Sequence, residues 1–185
     1  MIIGLTGRIA AGKGVIAEFF RSKGYIYFSL STIVREEALK RNVLFNRKNF
    51  GIIANNLRKK EGLGILAKKI IPNINPNMNY IIDGIRNPGE IDELRKIDDF
   101  ILISLDAPQK VRFKRLLKRE RKSDPKTFRD FIKIDVLDYK EKLKNGHQVG
   151  KCMKMADYKL ENDSDLKELN KKIRHVYSDI IKNQR

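Results

Sequence analysis

The feature that most narrows what this chain can fold into lies in its first twenty residues. An apolar run, Met1-Ile2-Ile3-Gly4-Leu5, leads through Thr6 into Gly7-Arg8-Ile9-Ala10-Ala11-Gly12-Lys13-Gly14, and then into Val15-Ile16-Ala17-Glu18-Phe19-Phe20. The apolar run reads as a buried strand, and the stretch after the loop reads as a helix with an apolar face. The connecting loop contains G-x-x-x-x-G-K. Gly7 and Gly12 let the backbone turn tightly and aim its N–H groups inward. The helix start adds a positive end, and Lys13 adds a mobile cation. Strand, glycine loop and helix together predict a cradle for a polyphosphate, held by the backbone of Gly7, Ala10, Ala11, Gly12, Lys13, Gly14 and Val15.

A loop of this kind needs a sheet behind it, and the rest of the chain supplies one. Apolar runs recur at Tyr25–Ser29, Asn79–Asp83 and Phe100–Leu105, with a last short one at Tyr158–Leu160. The runs near 2–6, 81–83 and 100–105 are continuous rather than alternating, and helical stretches separate them. That pattern predicts a parallel sheet covered on both faces. Helices are expected over Ile33–Arg41, Asn49–Glu61, Ile65–Ile71, Pro88–Lys96, a basic stretch from Pro108 to Lys122, and Thr127–Leu143. Leu166, Leu169, Ile173, Val176 and Ile180 predict a closing amphipathic helix. Residues 30–72 contain no strand and read as a helical insertion on the acceptor side; 119–130 read as a lid. No repeat or low-complexity linker divides the 185 residues, so one domain over 1–185 is expected.

The charge decides which partners to consider. The formal net charge is +17, which calls for anionic partners: nucleotides, nucleic acid or acidic surfaces. No run approaches the ~20 apolar residues of a membrane helix, and no basic segment precedes the first apolar run, so no leader is expected. Cys152 is the single cysteine, which excludes an intramolecular disulfide and fits a reducing, cytoplasmic setting. His147 and His175 have no acid or cysteine at metal-ligand spacing and receive no role.

Four places in the chain resemble the nucleoside monophosphate kinase group of P-loop proteins, of which adenylate kinase is a member. Gly12-Lys13-Gly14 is similar to the adenylate kinase loop, although Val15 stands where those enzymes have Thr and so supplies no hydroxyl for a metal. Ser29-Leu30-Ser31-Thr32-Ile33-Val34-Arg35 resembles the segment in which an arginine clamps the acceptor phosphate, with Thr32 where aspartate is usual. Ile81-Ile82-Asp83-Gly84-Ile85-Arg86-Asn87-Pro88 resembles the Asp-Gly-x-Pro-Arg segment, with the arginine one residue early. Arg112, Arg115 and Arg119, in a run with Lys118 and Arg121, fall on one helical face, and resemble the lid arginines that close over the transferring phosphate. The segment Ala156–Asp163 and the opening Ile3–Gly7 also resemble dephospho-coenzyme A kinases. Against this, the Gly-Lys-Ser-Thr loop and Asp-x-Pro-Leu-Leu segment of those enzymes are absent.

The resemblance implies a three-layer α/β P-loop fold, with about five parallel strands in the order 2-3-1-4-5. It implies ATP-dependent phosphoryl transfer, assisted by Mg2+, to a nucleoside or deoxynucleoside monophosphate. Dephospho-coenzyme A is the alternative acceptor, and a nucleic-acid-binding ATPase is the rival of another class. It further implies catalytic roles for Lys13, Asp83, Arg115 and Arg119, with Asp83 orienting the metal through water. Ser29, Arg35 and Arg86 are expected at the acceptor. Arg58, on the insertion, is a further candidate there, and a surface position fits it equally. Phosphoryl transfer of this type is positioning and charge neutralisation rather than covalent chemistry.

Overall fold

The computed structural model describes residues 1–120, 124–140 and 142–183. Five parallel strands form one sheet: β1 (Ile2–Gly7), β2 (Ile26–Ser29), β3 (Tyr80–Asp83), β4 (Phe100–Asp106) and β5 (Tyr158–Glu161), in the spatial order β2-β3-β1-β4-β5. This is the architecture that the apolar runs and the resemblance predict.

Side-chain alternation along the strands divides the core in two. Ile2, Ile82 and Leu102 enter one cluster; Ile3, Ile81 and Ile103 enter the other. The second cluster is roofed by α1 (Lys13–Arg21) and α9 (Leu166–Lys182), whose Leu169, Ile173, Val176 and Ile180 are buried as their spacing requires. The first is covered by α2 (Leu30–Lys40), α3 (Arg47–Glu61), α4 (Ile65–Ile70) and α5 (Pro88–Leu94). The helical stretch after β2 therefore shares the core of the sheet: Leu30, Val34, Leu57 and Leu66 pack in one cluster with Ile2, Tyr80 and Ile82.

On the β4 side lie α6 (Gln109–Lys118) and α7 (Phe128–Lys140). The basic helix stops at Lys118 rather than at Lys122, and Arg121, Lys122 and Ser123 lie outside the described residues. A further helix, α8 (Val149–Lys154), is absent from the sequence reading. It is six residues long, too short to establish a period, and it contains Gly150. Its Val149 and Cys152 are buried, and the Cys152 thiol is pushed well above its ordinary range by that burial.

Candidate active site

The carboxyl ends of the strands assemble the site, as in open α/β sheets generally. β1 ends at Gly7, with φ +138°, where an added Cβ would stand 2.1 Å from the Leu105 carbonyl oxygen. Gly12 has φ +112°, and a Cβ there would stand 2.5 Å from Asn162 Nδ2. At both positions the left-handed backbone and the close neighbour exclude any side chain. At Gly14 an added Cβ would meet nothing within 4 Å, so the mouth of the loop faces open space. The amides of Gly12, Lys13 and Gly14 stand at the start of α1, where helix geometry gives them no intrahelical acceptor. Lys13 folds back across the loop, and its Nζ donates to the Gly7 and Arg8 carbonyls at 2.9 and 3.0 Å. Burial pushes the ammonium down to about 8, against the opposing pull of the Asp83 carboxylate.

β2 and β3 end in register, with Ser29 opposite Asp83. Asp83 accepts from the Gly84 amide at 2.7 Å and from the Tyr27 hydroxyl at 3.3 Å. The turn after Asp83 is fastened by Glu90, whose Oε2 accepts from the amides of Arg86 (2.8 Å) and Asn87 (3.1 Å). Asn87 in turn caps α5. This fixes the Arg86 backbone while its side chain reaches into the cavity.

That cavity, of about 640 Å³, is lined by Gly7, Ala10, Ala11, Gly12, Lys13 and Gly14 of the loop and by Ser29, Arg35, Arg58, Asp83, Arg86, Arg115 and Arg119. Of the residues expected to cradle the phosphates, Val15 alone stays outside the lining, and its amide donates to the Gly12 carbonyl at 2.9 Å; Arg112 and Lys118 of the basic helix also stay outside. A smaller neighbouring cavity of about 440 Å³ shares Tyr27, Ser29 and Thr32 with it and is lined by Phe28, Ile33, Leu57 and Ile70 together with Glu36, Glu37, Lys40 and Lys69.

The arginines differ in what they hold. Among the described residues, the side chains of Arg35 and Arg86 make no hydrogen bond or ion pair. Arg58 is 2% exposed; its Nε and Nη2 donate to Glu90 Oε1 at 3.0 and 2.7 Å, and Nη1 donates to the Asn145 carbonyl at 3.3 Å. It is a buried ion-paired residue at the cavity floor, not a surface one. Arg115 donates to the Ala11 carbonyl at 3.2 Å and to Asn162 Oδ1 at 3.0 Å. Arg119 grips Asp124 at 2.5 and 2.8 Å. Arg112, on the same helical face, is buried and bidentate with Asp135 at 2.6 and 2.9 Å. Asp135 also pairs with Arg8 of the loop. The shared face that the spacing predicts is present, but each arginine on it has a different partner. Arg121 lies outside the described residues.

Four side chains at the site received no role in the sequence reading. Asn162, 2% exposed after β5, donates from Nδ2 to the Ala11 carbonyl at 2.7 Å and so ties the loop to the sheet edge. Arg47 opens α3 and pairs with Asp138 of α7. Asp138 Oδ1 lies 2.9 Å from His147 Nδ1. Arg47, Asp138 and His147 all line the cavity. Burial raises the Asp138 carboxyl, but the His147 bond and the Arg47 and Arg86 charges outweigh it and hold the group well below the carboxylate range.

The donor set fits a nucleoside triphosphate with its metal. The loop presents open space, helix-start amides and a lysine to an anion, and Asp83 lines the same cavity. Among the described residues no group of three or more His, Cys, Asp or Glu is placed to hold a metal ion alone. A divalent ion would therefore take its ligands chiefly from water and phosphate, with Asp83 holding the water shell.

Similarity to known proteins agrees with this geometry. The family model described as AAA domain matches residues 3–135. A UPF0200 protein of Pyrococcus horikoshii is 34% identical over 190 residues, spanning 99% of each chain. The chain belongs to the UPF0200 family of P-loop proteins bearing this AAA domain. The fold of this UPF0200 chain is also that of TT1252 from Thermus thermophilus (TM-score 0.60, 19% identity, 97% of each chain). It is shared with a shikimate kinase from Bacteroides thetaiotaomicron (TM-score 0.58, 16% identity, 96% of this chain and 97% of that one). The UPF0200 fold is thus P-loop kinase-like. Among its described residues, no helix is long and apolar enough to cross a membrane.

Proposed function

We propose that this UPF0200 chain is a cytoplasmic phosphotransferase that moves the γ-phosphoryl group of ATP to a small acceptor carrying a phosphate. The observation that carries this reading is the content of one cavity. The loop and Lys13 stand beside Asp83, and with them stand Arg35 and Arg86, the two cavity arginines whose side chains, among the described residues, make neither a hydrogen bond nor an ion pair. A pure nucleotide-binding module needs the loop but not the two unengaged arginines. A nucleoside or deoxynucleoside monophosphate is the first acceptor reading, with the smaller, mixed polar and apolar cavity beside Ser29 holding its nucleoside. Dephospho-coenzyme A is the second, favoured by Asn162, which closes the loop from the segment that resembles those enzymes.

In this reading the loop amides and Lys13 hold the β- and γ-phosphates. Bound Mg2+ supplies charge neutralisation, and Asp83 orients its water shell. Arg35 and Arg86 hold the acceptor's phosphate, and the helical stretch 30–72 shapes its pocket. Arg115 and Arg119 meet the charge that develops on the transferring group when 119–130 close as a lid, exchanging the carbonyl and carboxylate that they hold for phosphate oxygens. The +17 charge is not needed for turnover beyond the cavity. Activity on mononucleotides that required added RNA would favour the nucleic-acid rival.

The test is a phosphotransfer screen with ATP against mononucleotides, deoxymononucleotides and dephospho-coenzyme A. Lys13→Ala is expected to lower turnover by at least ~10²-fold with the fold intact; full activity in that variant removes the loop assignment. Arg35→Ala is expected to weaken acceptor binding far more than ATP binding, and equal losses take Arg35 out of the acceptor site.

A further inference from the structure

The acceptor atom is left open by the arginines alone, because they serve equally to hold an attacking phosphate or to hold a phosphate handle while another group attacks. The difference lies in the proton. A phosphate dianion attacks without giving one up, whereas a hydroxyl must lose its proton during transfer and gains from a positioned base.

The cavity contains a group built for that task. His147, on the segment between α7 and α8, lines the same cavity as Lys13 and Arg86. Its Nδ1 faces Asp138 Oδ1 at 2.9 Å, and Asp138 is held in turn by Arg47. Asp138 is ionised, so it accepts, and Nδ1 carries the hydrogen. In the neutral imidazole that tautomer leaves the lone pair on Nε2. Among the described residues Nε2 has no hydrogen-bond partner. The His147 side chain is 15% exposed. A histidine whose work was to fasten its segment to α7 would need Nδ1 alone. The segment already has other fastenings, since Asn87 Nδ2 donates to the Lys144 and Gly146 carbonyls at 2.8 and 2.9 Å and the Gln148 amide donates to the Arg86 carbonyl at 2.7 Å.

Resting on the phosphotransferase reading, we propose that His147 is the general base of this site, and that the phosphoryl acceptor is a hydroxyl of a phosphorylated alcohol. His147 Nε2 takes the hydroxyl proton as the alcohol oxygen bonds to the γ-phosphorus. The bond from that phosphorus to the β,γ-bridging oxygen breaks, and its electron pair leaves on the nucleoside diphosphate. The products are a phosphomonoester, the diphosphate and one proton, which the imidazolium returns to solvent. Asp138 keeps the tautomer and stabilises the imidazolium, and is a positioning residue.

The charged groups around the ring fit a base at neutral pH. Burial lowers the pKa of His147, and the Arg86 and Arg58 guanidinium groups lower it further, against the opposing pull of Asp138. Arg47 acts on the ring's partner, since it pairs with Asp138. The ring is therefore neutral near pH 7 and loses its base form as the pH falls.

Mononucleotides offer both acceptor atoms at once, so 31P NMR of the products decides the point. The purified chain is incubated with ATP-magnesium and either a set of ribo- and deoxyribonucleoside monophosphates or dephospho-coenzyme A. Both transfers release ADP; transfer to a hydroxyl adds a new phosphomonoester resonance, whereas transfer to the phosphate replaces the mononucleotide's phosphomonoester resonance with the phosphoanhydride pair of its own diphosphate. The expected result is a phosphomonoester, with kcat falling ~10²–10⁴-fold in His147→Gln. The acidic limb of the wild-type pH profile should vanish in that variant, and Asp138→Asn should lower kcat while leaving KM for ATP little changed. Melting temperatures of both variants establish that they fold. Conversion of the mononucleotide to its own diphosphate, or a phosphomonoester formed at the wild-type rate by folded His147→Gln, overturns the base while leaving the phosphotransferase reading in place. No phosphorylated product from any acceptor removes both.

Discussion

Replacing Glu90 by glutamine keeps the shape of the side chain and removes its charge, which isolates what that charge does. Glu90 is 0% exposed and its partner Arg58 is 2% exposed. One carboxylate oxygen takes two guanidinium hydrogens, at 3.0 and 2.7 Å, and the other takes the amides of Arg86 and Asn87. Glutamine retains an acceptor for the two amides but turns an NH₂ group towards the guanidinium, leaving a buried cation without its counter-charge. Breaking a buried pair in this way costs about 3–5 kcal/mol. For a chain of this length each kcal/mol moves the melting point by ~2–4 °C, so a fall of about 6–20 °C is expected. Thermal and urea unfolding measure it. The double variant Arg58→Met with Glu90→Gln removes the stranded cation and should recover much of the loss, giving a coupling energy of ~2–3 kcal/mol in the cycle. A single variant melting within ~2 °C of the parent refutes the argument, as does a double variant as unstable as the sum of the singles.

The Lys13 ammonium, pushed down to about 8 in the nucleotide-free protein, is three-quarters neutral at pH 8.5, and a bound polyphosphate favours its charged form. Calorimetric titration of ATP at pH 8.5 in buffers of different ionisation enthalpy should report uptake of up to about 0.75 proton, absent in Lys13→Met. The folded value lies below the ordinary 10.5, so the unfolded chain binds more protons between the two. Stability of the nucleotide-free protein should therefore rise with pH across pH 8–10.5, a trend that urea unfolding at several pH values checks. Asn162→Ala removes the donor to the Ala11 carbonyl and the acceptor for Arg115; fluorescent-nucleotide titration should show ATP affinity falling ~10-fold, as expected for losing about 1–3 kcal/mol of buried hydrogen bonding.

What the sequence made legible follows from the range of each signal. Apolar runs and helical spacing are local, so β1, β3, β4 and α9 could be placed within a few residues, and the glycine loop carried its own backbone demands at Gly7 and Gly12. Partnerships are not local. Asp135 collects Arg8 from 127 residues away and Arg112 from 23 residues away. Nothing in the spacing of Arg112, Arg115 and Arg119 announces that their partners are Asp135, Asn162 and Asp124. His147 looked solitary because Asp138 stands nine residues before it, beyond any helical or strand period, and the end of α7 with the turn after it brings the two together. Arg58 looked equally suited to the surface because its neutralising acid, Glu90, belongs to another helix.

The division among the cavity arginines also bears on the rival reading. Among the described residues, seven cationic side chains line the cavity, but Asp83, Asp124 and Asp138 line it too, so with neutral His147 their excess is +4, a small part of the +17 carried by the whole chain. A groove that tracks a nucleic-acid backbone gains affinity from each unopposed cation and loses it to each carboxylate. This cavity instead pairs most of its arginines in advance with acids or carbonyls and leaves Arg35 and Arg86 unengaged. Engaging those two breaks no existing bond, whereas engaging Arg119 requires release of Asp124. A small anion therefore meets the free pair first, and the paired arginines respond only to charge strong enough to displace their partners. That ordering suits a site that first binds an acceptor and then closes on a transferring phosphoryl group, and it gives no advantage to a long polyanion.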